Sequence, residues 1–125
     1  MTDDQLANAL SEVLCGKTIK GTSSESIVLN DGTVLEFEGY GDCCAMGDVS
    51  GLEGIETTEH AITSVKVESG SGSCGVISIH LITTGGGDSS FRLVGNEGSG
   101  YYVYGVEIKL NSEKLLDVAM DRYHR

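Results

Sequence analysis

The sequence predicts an α+β domain: about six strands in a twisted antiparallel sheet, with an N-terminal and a C-terminal helix. Three observations lead there. Short β-branched runs are separated by glycine clusters, and the chain has 18 Gly and no Pro. The two ends carry apolar residues at helical spacing, whereas the middle alternates with period two. At 125 residues the chain suits one domain, 1–125, with a modest core.

The first helix starts at a Thr2 or Asp3 cap and runs to about Leu14. Leu6, Leu10, Val13 and Leu14 share one face, Asp3 and Asp4 favour the positive helix start, and Cys15-Gly16 ends it. A strand is expected over Lys17–Gly21, and then comes the strongest local signal, the hairpin Ser26–Leu29 and Thr33–Glu38 around Asn30-Asp31-Gly32. A two-residue loop would oppose Ile27 to Glu36, whereas a three-residue loop opposes Ile27 to Leu35 and Ser26 to Glu36. Only the three-residue loop leaves one apolar and one polar face. The prediction is therefore a type I turn with Gly32 in the left-handed region.

Gly39 to Glu59 lacks periodicity and reads as a long structured loop, ordered by Tyr40, Met46, Val49, Leu52 and Ile55. Ala61–Val67 is expected to turn Ala61, Thr63, Val65 and Val67 to one side. Val76–Thr83 sends Ile77, Ile79 and Leu81 inward with Ser78 and His80 outward, and Gly85–Asp88 joins it to Phe91–Val94. Tyr101–Leu110 alternates Tyr102, Tyr104, Val106, Ile108 and Leu110 on one face, as a central strand should. Ser112 is the expected cap of a closing helix to about Arg122, with Leu115, Leu116, Ala119, Met120 and Tyr123 as its stripe.

Composition narrows the function. Net charge is −11, from 8 Lys+Arg and 19 Asp+Glu. Residues 1–68 hold 13 acids and 3 bases, and the stretch from Gly21 to Val65 has nine acids with no Lys or Arg. That distribution argues against direct nucleic-acid binding and against docking on an anionic membrane. It admits a basic protein partner or plain solubility. No apolar run approaches the roughly 20 residues of a membrane span, and Met1-Thr2-Asp3-Asp4 lacks the order of a secretory signal. The expectation is a cytoplasmic protein whose cysteines 15, 43, 44 and 74 are reduced.

Several chemical readings compete at Asp42-Cys43-Cys44. A soft metal site would need His60, Cys74 or His80 to complete it, and adjacent cysteines on an extended backbone point apart. A nucleophilic cysteine with His60 as base lacks a local signature, and Asp42 would raise the thiol pKa. Small buried thiols shaping a tight loop explain the tripeptide most simply. The loop carboxylates Asp42, Asp48, Glu53 and Glu56 do not have calcium-loop spacing. Gly70-Ser-Gly-Ser-Cys-Gly75 matches a dinucleotide fingerprint in spacing, yet a strand follows it instead of the required helix. Gly85–Gly87 lacks the Lys-Ser/Thr of a phosphate loop. The expectation is thus no catalytic constellation, no cofactor and no metal. Asn96-Glu-Gly-Ser-Gly-Tyr-Tyr102 adds a glycine-rich bend with Tyr101 as an aromatic anchor, and Asn96 suits the bend. The candidate binding residues are Asp42, Cys43, Cys44, Asn96 and Tyr101.

The segments Asp31-Gly-Thr-Val-Leu-Glu-Phe-Glu-Gly39, Gly41-Asp-Cys-Cys-Ala45 and Asn96…Gly100-Tyr-Tyr102 resemble a family of small uncharacterised bacteriophage and prophage proteins, notably of actinobacterial hosts. That family shows a Gly-Asp-Cys-Cys-small element and a later Asn…Asn-Gly-Tyr-Tyr-Gly-Gly element. Here Ser99 stands at the second Asn, and Val103-Tyr104 replace the Gly pair. The resemblance spans roughly residues 16–110 and implies a setting, a phage gene product acting in the bacterial host's cytoplasm. Within it, the acidic Gly21–Val65 half, the Cys43-Cys44 loop and Tyr101 lead to the expectation of a non-enzymatic accessory protein that engages a host protein. A small-molecule or nucleotide-binding counter-defence role is the alternative, and a homodimer through a sheet edge is compatible with either.

Overall fold

A computed structural model describes residues 2–42, 45–55, 60–69, 76–97 and 104–120. Among these the chain is mainly β. One helix, α1 (Asp3–Leu14), precedes nine antiparallel strands: β1 (Ile19–Thr22), β2 (Ser26–Leu29), β3 (Val34–Asp42), β4 (Ala45–Ser50), β5 (Ile62–Ser69), β6 (Val76–Thr83), β7 (Asp88–Glu97), β8 (Gly105–Leu110) and β9 (Glu113–Ala119). The expected α+β fold with about six strands and a closing helix is therefore corrected.

The helix begins as its sequence dictates. The Thr2 hydroxyl accepts from the Gln5 amide at 3.3 Å, and the Gln5 side chain accepts from the Thr2 amide at 2.9 Å. This reciprocal box satisfies two amides that the first turn leaves orphaned. Leu6, Leu10, Val13 and Leu14 are buried, and α1 packs on β5. Asp3 ties the helix start to the end of that strand, accepting from the Ser69 amide at 3.3 Å and from its hydroxyl at 3.2 Å.

The β2–β3 hairpin has the three-residue register: Ile27 opposes Leu35 and Ser26 opposes Glu36. Gly32 takes φ +88°, the turn conformation that an L side chain rarely adopts. Its neighbour Asp31 accepts from the Thr33 amide at 2.9 Å and pairs with Lys17 at 3.0 Å. Hydrogen bonds from the Thr33 side chain and amide, with Lys17 adding to them, hold the exposed carboxyl at a pKa of about 2.

The sheet has two wings. One runs β1-β2-β3-β8-β9 and the other β4-β7-β6-β5, and the end of β3 pairs with β4 to join them. Their inner faces share one core, in which Phe37 of the first wing meets Phe91 of the second edge-on at 5.2 Å. The wings touch through glycines. A Cβ on Gly39 would strike the carbonyl of Gly47, and a Cβ on Gly47 would strike the carbonyl of Gly105. Only backbone without a side chain fits there, so β4 can cross close over β3 and β8.

Three further expectations change. Gly39–Glu59 is not a long loop: β3 extends to Asp42, β4 spans Ala45–Ser50, and a 3-10 turn covers Leu52–Gly54. The glycines that hid its alternation are the ones the seam requires. In β5, Ile62 is buried rather than Ala61 and Thr63, because the register slips between Ile62 and Ser64 before Val65 and Val67 turn inward. The C-terminal segment is a strand, not a helix. Asn111 and Ser112 adopt φ 51° and 71°, so Ser112 turns a hairpin instead of capping a helix. Asn111 exchanges two 2.9 Å bonds with Val34, its amide donating to the Val34 carbonyl and its side chain accepting from the Val34 amide. Leu116, Val118 and Met120 then alternate inward, with Val118 fully buried.

Candidate functional site

A concavity lies where β3 changes partner. On one edge β3 pairs with β2 through Glu36 and with β4 from Gly41 onward. Between them opens a groove of about 500 Å³, bounded by Ser23, Glu25 and Ser26 on one side and Met46, Gly47 and Asp48 on the other. Its floor is Glu36 to Gly39, and Lys109 reaches in from β8.

Strand alternation explains the chemistry of this groove. Leu35 and Phe37 go to the core, so Glu36 and Glu38 must face outward. The ladder sets Lys109 directly opposite Glu36, and its ammonium bonds the Glu38 carboxylate at 2.5 Å. That bond, helped by the Glu107 and Glu36 charges, raises the Lys109 pKa. Four carboxylates (Glu25, Glu36, Glu38 and Asp48) therefore share the described groove with one base. Asp48 also accepts from the Val49 amide at 2.8 Å, which fixes its carboxylate at the rim. Met46 is 48% exposed beside it, the most exposed of the large apolar side chains described. Such a surface attracts cations and repels phosphates.

Of the candidate residues read from sequence, Asp42 and Asn96 lie close to this groove by backbone position. Asp42 pairs with Ala45, which pairs with Glu97, and Met46 pairs with both Gly41 and Asn96. Hence β3 at Asp42 and β7 at Asn96 end on the same side of the sheet. The side chains of Asp42 and Asn96, and all of Cys43, Cys44 and Tyr101, lie outside the described residues. So do Cys74 and Glu56, while Glu53 sits on the 3-10 turn.

The two histidines offered to a metal are placed apart in the ladder. His60 lies against Gly85 and Thr84, its Nδ1 3.5 Å from the Thr84 hydroxyl. His80 faces outward between Asp88 at 3.4 Å and Glu68 at 3.8 Å. Cys15 donates to the Thr63 carbonyl at 3.5 Å. Among the described residues no group of three or more His, Cys, Asp or Glu could hold a metal ion, and no helix is long and apolar enough to cross a membrane.

Sequence reasoning missed Glu25, Glu36, Glu38, Met46 and Lys109 as groove residues. The polar face of the β2–β3 hairpin already grouped Ser26, Glu36 and Glu38. What the sequence alone lacked was strand order, since nothing local says that β8 lies beside β3.

Fold and groove together define a mainly-β protein with an acidic cleft at the junction of two sheet wings. The chain belongs to a family described as a domain of unknown function (DUF7448), whose pattern matches residues 12–108. No curated protein and no solved structure matches it.

Proposed function

We propose that the protein is a non-enzymatic interaction module whose acidic groove engages a basic protein partner. The observation that carries this reading is the composition of the groove: among the described residues, Glu25, Glu36, Glu38 and Asp48 stand against Lys109 alone. Charges gathered on one concave surface steer an oppositely charged partner and set its orientation. The same carboxylates disfavour a nucleotide, whose phosphates they would repel. In the setting that the phage-family resemblance implies, the module is an accessory protein and the partner a host factor in the bacterial cytoplasm.

The test is capture from bacterial lysate at low and at high salt, comparing the wild type with the Glu36→Gln/Glu38→Gln double variant. A basic protein retained at low salt, released at high salt and lost by the variant supports the reading, because screening weakens such contacts. Capture insensitive to both salt and the substitutions, or no capture, contradicts it.

A further inference from the structure

Beside the groove, the outer face of the second wing carries an apolar strip. Val76 opposes Val94, and Val94 opposes Asp48, so these three side chains form one row across β6, β7 and β4. Ile77, Leu93 and Val49 in the next row are buried, which sends the Val76 row outward. Met46 lies two residues from Asp48 on the same face and also lines the groove. Val76 is 41% exposed and Met46 48%, and only Leu115 joins them among the large apolar side chains described as exposed. Two of the three thus stand within a few strand spacings of about 4.8 Å each, on one face. On the far side the strip meets Arg92 and Ser78, which pair in the following row.

Resting on the interaction reading above, we propose that the partner contributes a cationic amphipathic segment. Its apolar side chains would cover Met46, Val94 and Val76, and its Lys or Arg side chains would enter the groove toward Glu25, Glu36, Glu38 and Asp48. Charge complementarity sets the direction: on the groove side four carboxylates stand with Lys109 among the described residues, whereas on the other side Arg92 and the Lys66-paired Glu68 share one row and balance, so the cations of the segment lie over the groove. Exposed apolar side chains held together beside a charged rim are the usual anatomy of a docking surface. An acidic patch alone would bind any polycation, whereas this surface discriminates in favour of one that also presents Leu, Ile or Val.

The experiment titrates the full chain with three labelled synthetic peptides of equal length, read by fluorescence anisotropy. One alternates Lys with Leu, one Lys with Ser, and one Glu with Leu. The Lys–Leu peptide is expected to bind about tenfold tighter than Lys–Ser, as burial of even one apolar side chain implies. The Glu–Leu peptide is expected not to bind. Val76→Ser should narrow the Lys–Leu advantage and leave Lys–Ser affinity unchanged, and Met46→Ser, at a position that also lines the groove, should weaken Lys–Leu binding more than Lys–Ser binding. Both positions are exposed, and circular dichroism checks that each variant is folded. Equal binding of Lys–Leu and Lys–Ser, or variants that keep the full advantage, overturns the apolar contact while sparing the acidic module. Binding of Glu–Leu as tightly as Lys–Leu overturns the charge assignment. Failure of both lysine peptides to bind contradicts the interaction reading itself and this inference with it.

Discussion

On the β1-β2-β3-β8-β9 wing, the outward positions of neighbouring strands hold Glu36, Glu38, Glu107 and Asp117, with Lys109 and Lys114 set among them. Lys109 bonds Glu38 at 2.5 Å, Lys114 lies 3.5 Å from Glu107, and the Tyr40 hydroxyl donates to Asp117 at 2.6 Å. On the β4-β7-β6-β5 wing, the described ion pairs gather toward one end. There Lys66 pairs with Glu68 at 3.0 Å, which lowers the Glu68 pKa, and His80 stands by Asp88. The other end turns out Met46, Val94 and Val76. Behind both surfaces lies the same shared core of Leu, Ile, Val and Phe. Stability is therefore common property, and recognition belongs to the junction, where an acidic face meets an apolar one.

The largest expected effect breaks the junction. Gly47→Ala sets a methyl group against the Gly105 backbone and should cost about 3 kcal/mol or more by chemical denaturation. Gly54→Ala is the control, since nothing lies within 4 Å of its added methyl, and should stay within about 0.5 kcal/mol of wild type. If both variants are equally stable, the wings do not meet as described.

The next effect separates a strand from a helix at the C-terminus. Val118 is fully buried and Leu115 is 36% exposed. Val118→Ala should cost about 2 kcal/mol and Leu115→Ala less than about 0.5 kcal/mol. A helix with Leu115 in its stripe would reverse that order.

A smaller change touches only the helix on β5. Thr2→Ala removes the cap and should cost about 1 kcal/mol while leaving peptide binding unchanged. Lys109→Gln works the other way: the groove loses the one base among its described residues, so affinity for the Lys–Leu peptide should rise a few-fold while thermal stability hardly moves. The smallest effect concerns pH. Because the Asp31 carboxyl is depressed from 3.8 to about 2, its contribution is present above its unfolded pKa and disappears as pH falls through about 2. Asp31→Asn should slightly flatten the acid limb of the stability curve between those values, a difference that a pH series of thermal melts would reveal.

Much of the fold was legible where local chemistry decides it. The Thr2 cap, the Leu6–Leu14 stripe, the three-residue turn at Gly32 and the inward set Ile77, Ile79 and Leu81 are all local matters of spacing. The errors arose where a distant partner decides. Ala45–Ser50 looks like loop because Gly47 fills its inward position, and only the backbone of Gly105 across the seam explains why nothing larger stands there. Leu115, Leu116, Ala119 and Met120 fit a helical stripe if Val118 is passed over. Yet β8 has a second edge to satisfy, and the alternation of Leu116, Val118 and Met120 answers it. The groove was half legible, in the shared polar face of Ser26, Glu36 and Glu38. Lys109 and Met46 join them only through strand order.

The most direct test of the account is a backbone amide NMR titration of the isotope-labelled chain with the Lys–Leu peptide. The account predicts shift changes concentrated at Glu36–Gly39, Met46–Asp48, Val76 and Val94, weakening as salt is raised. Changes centred instead on β1, on α1 or on the Lys66–Glu68–His80 end of the second wing would contradict it.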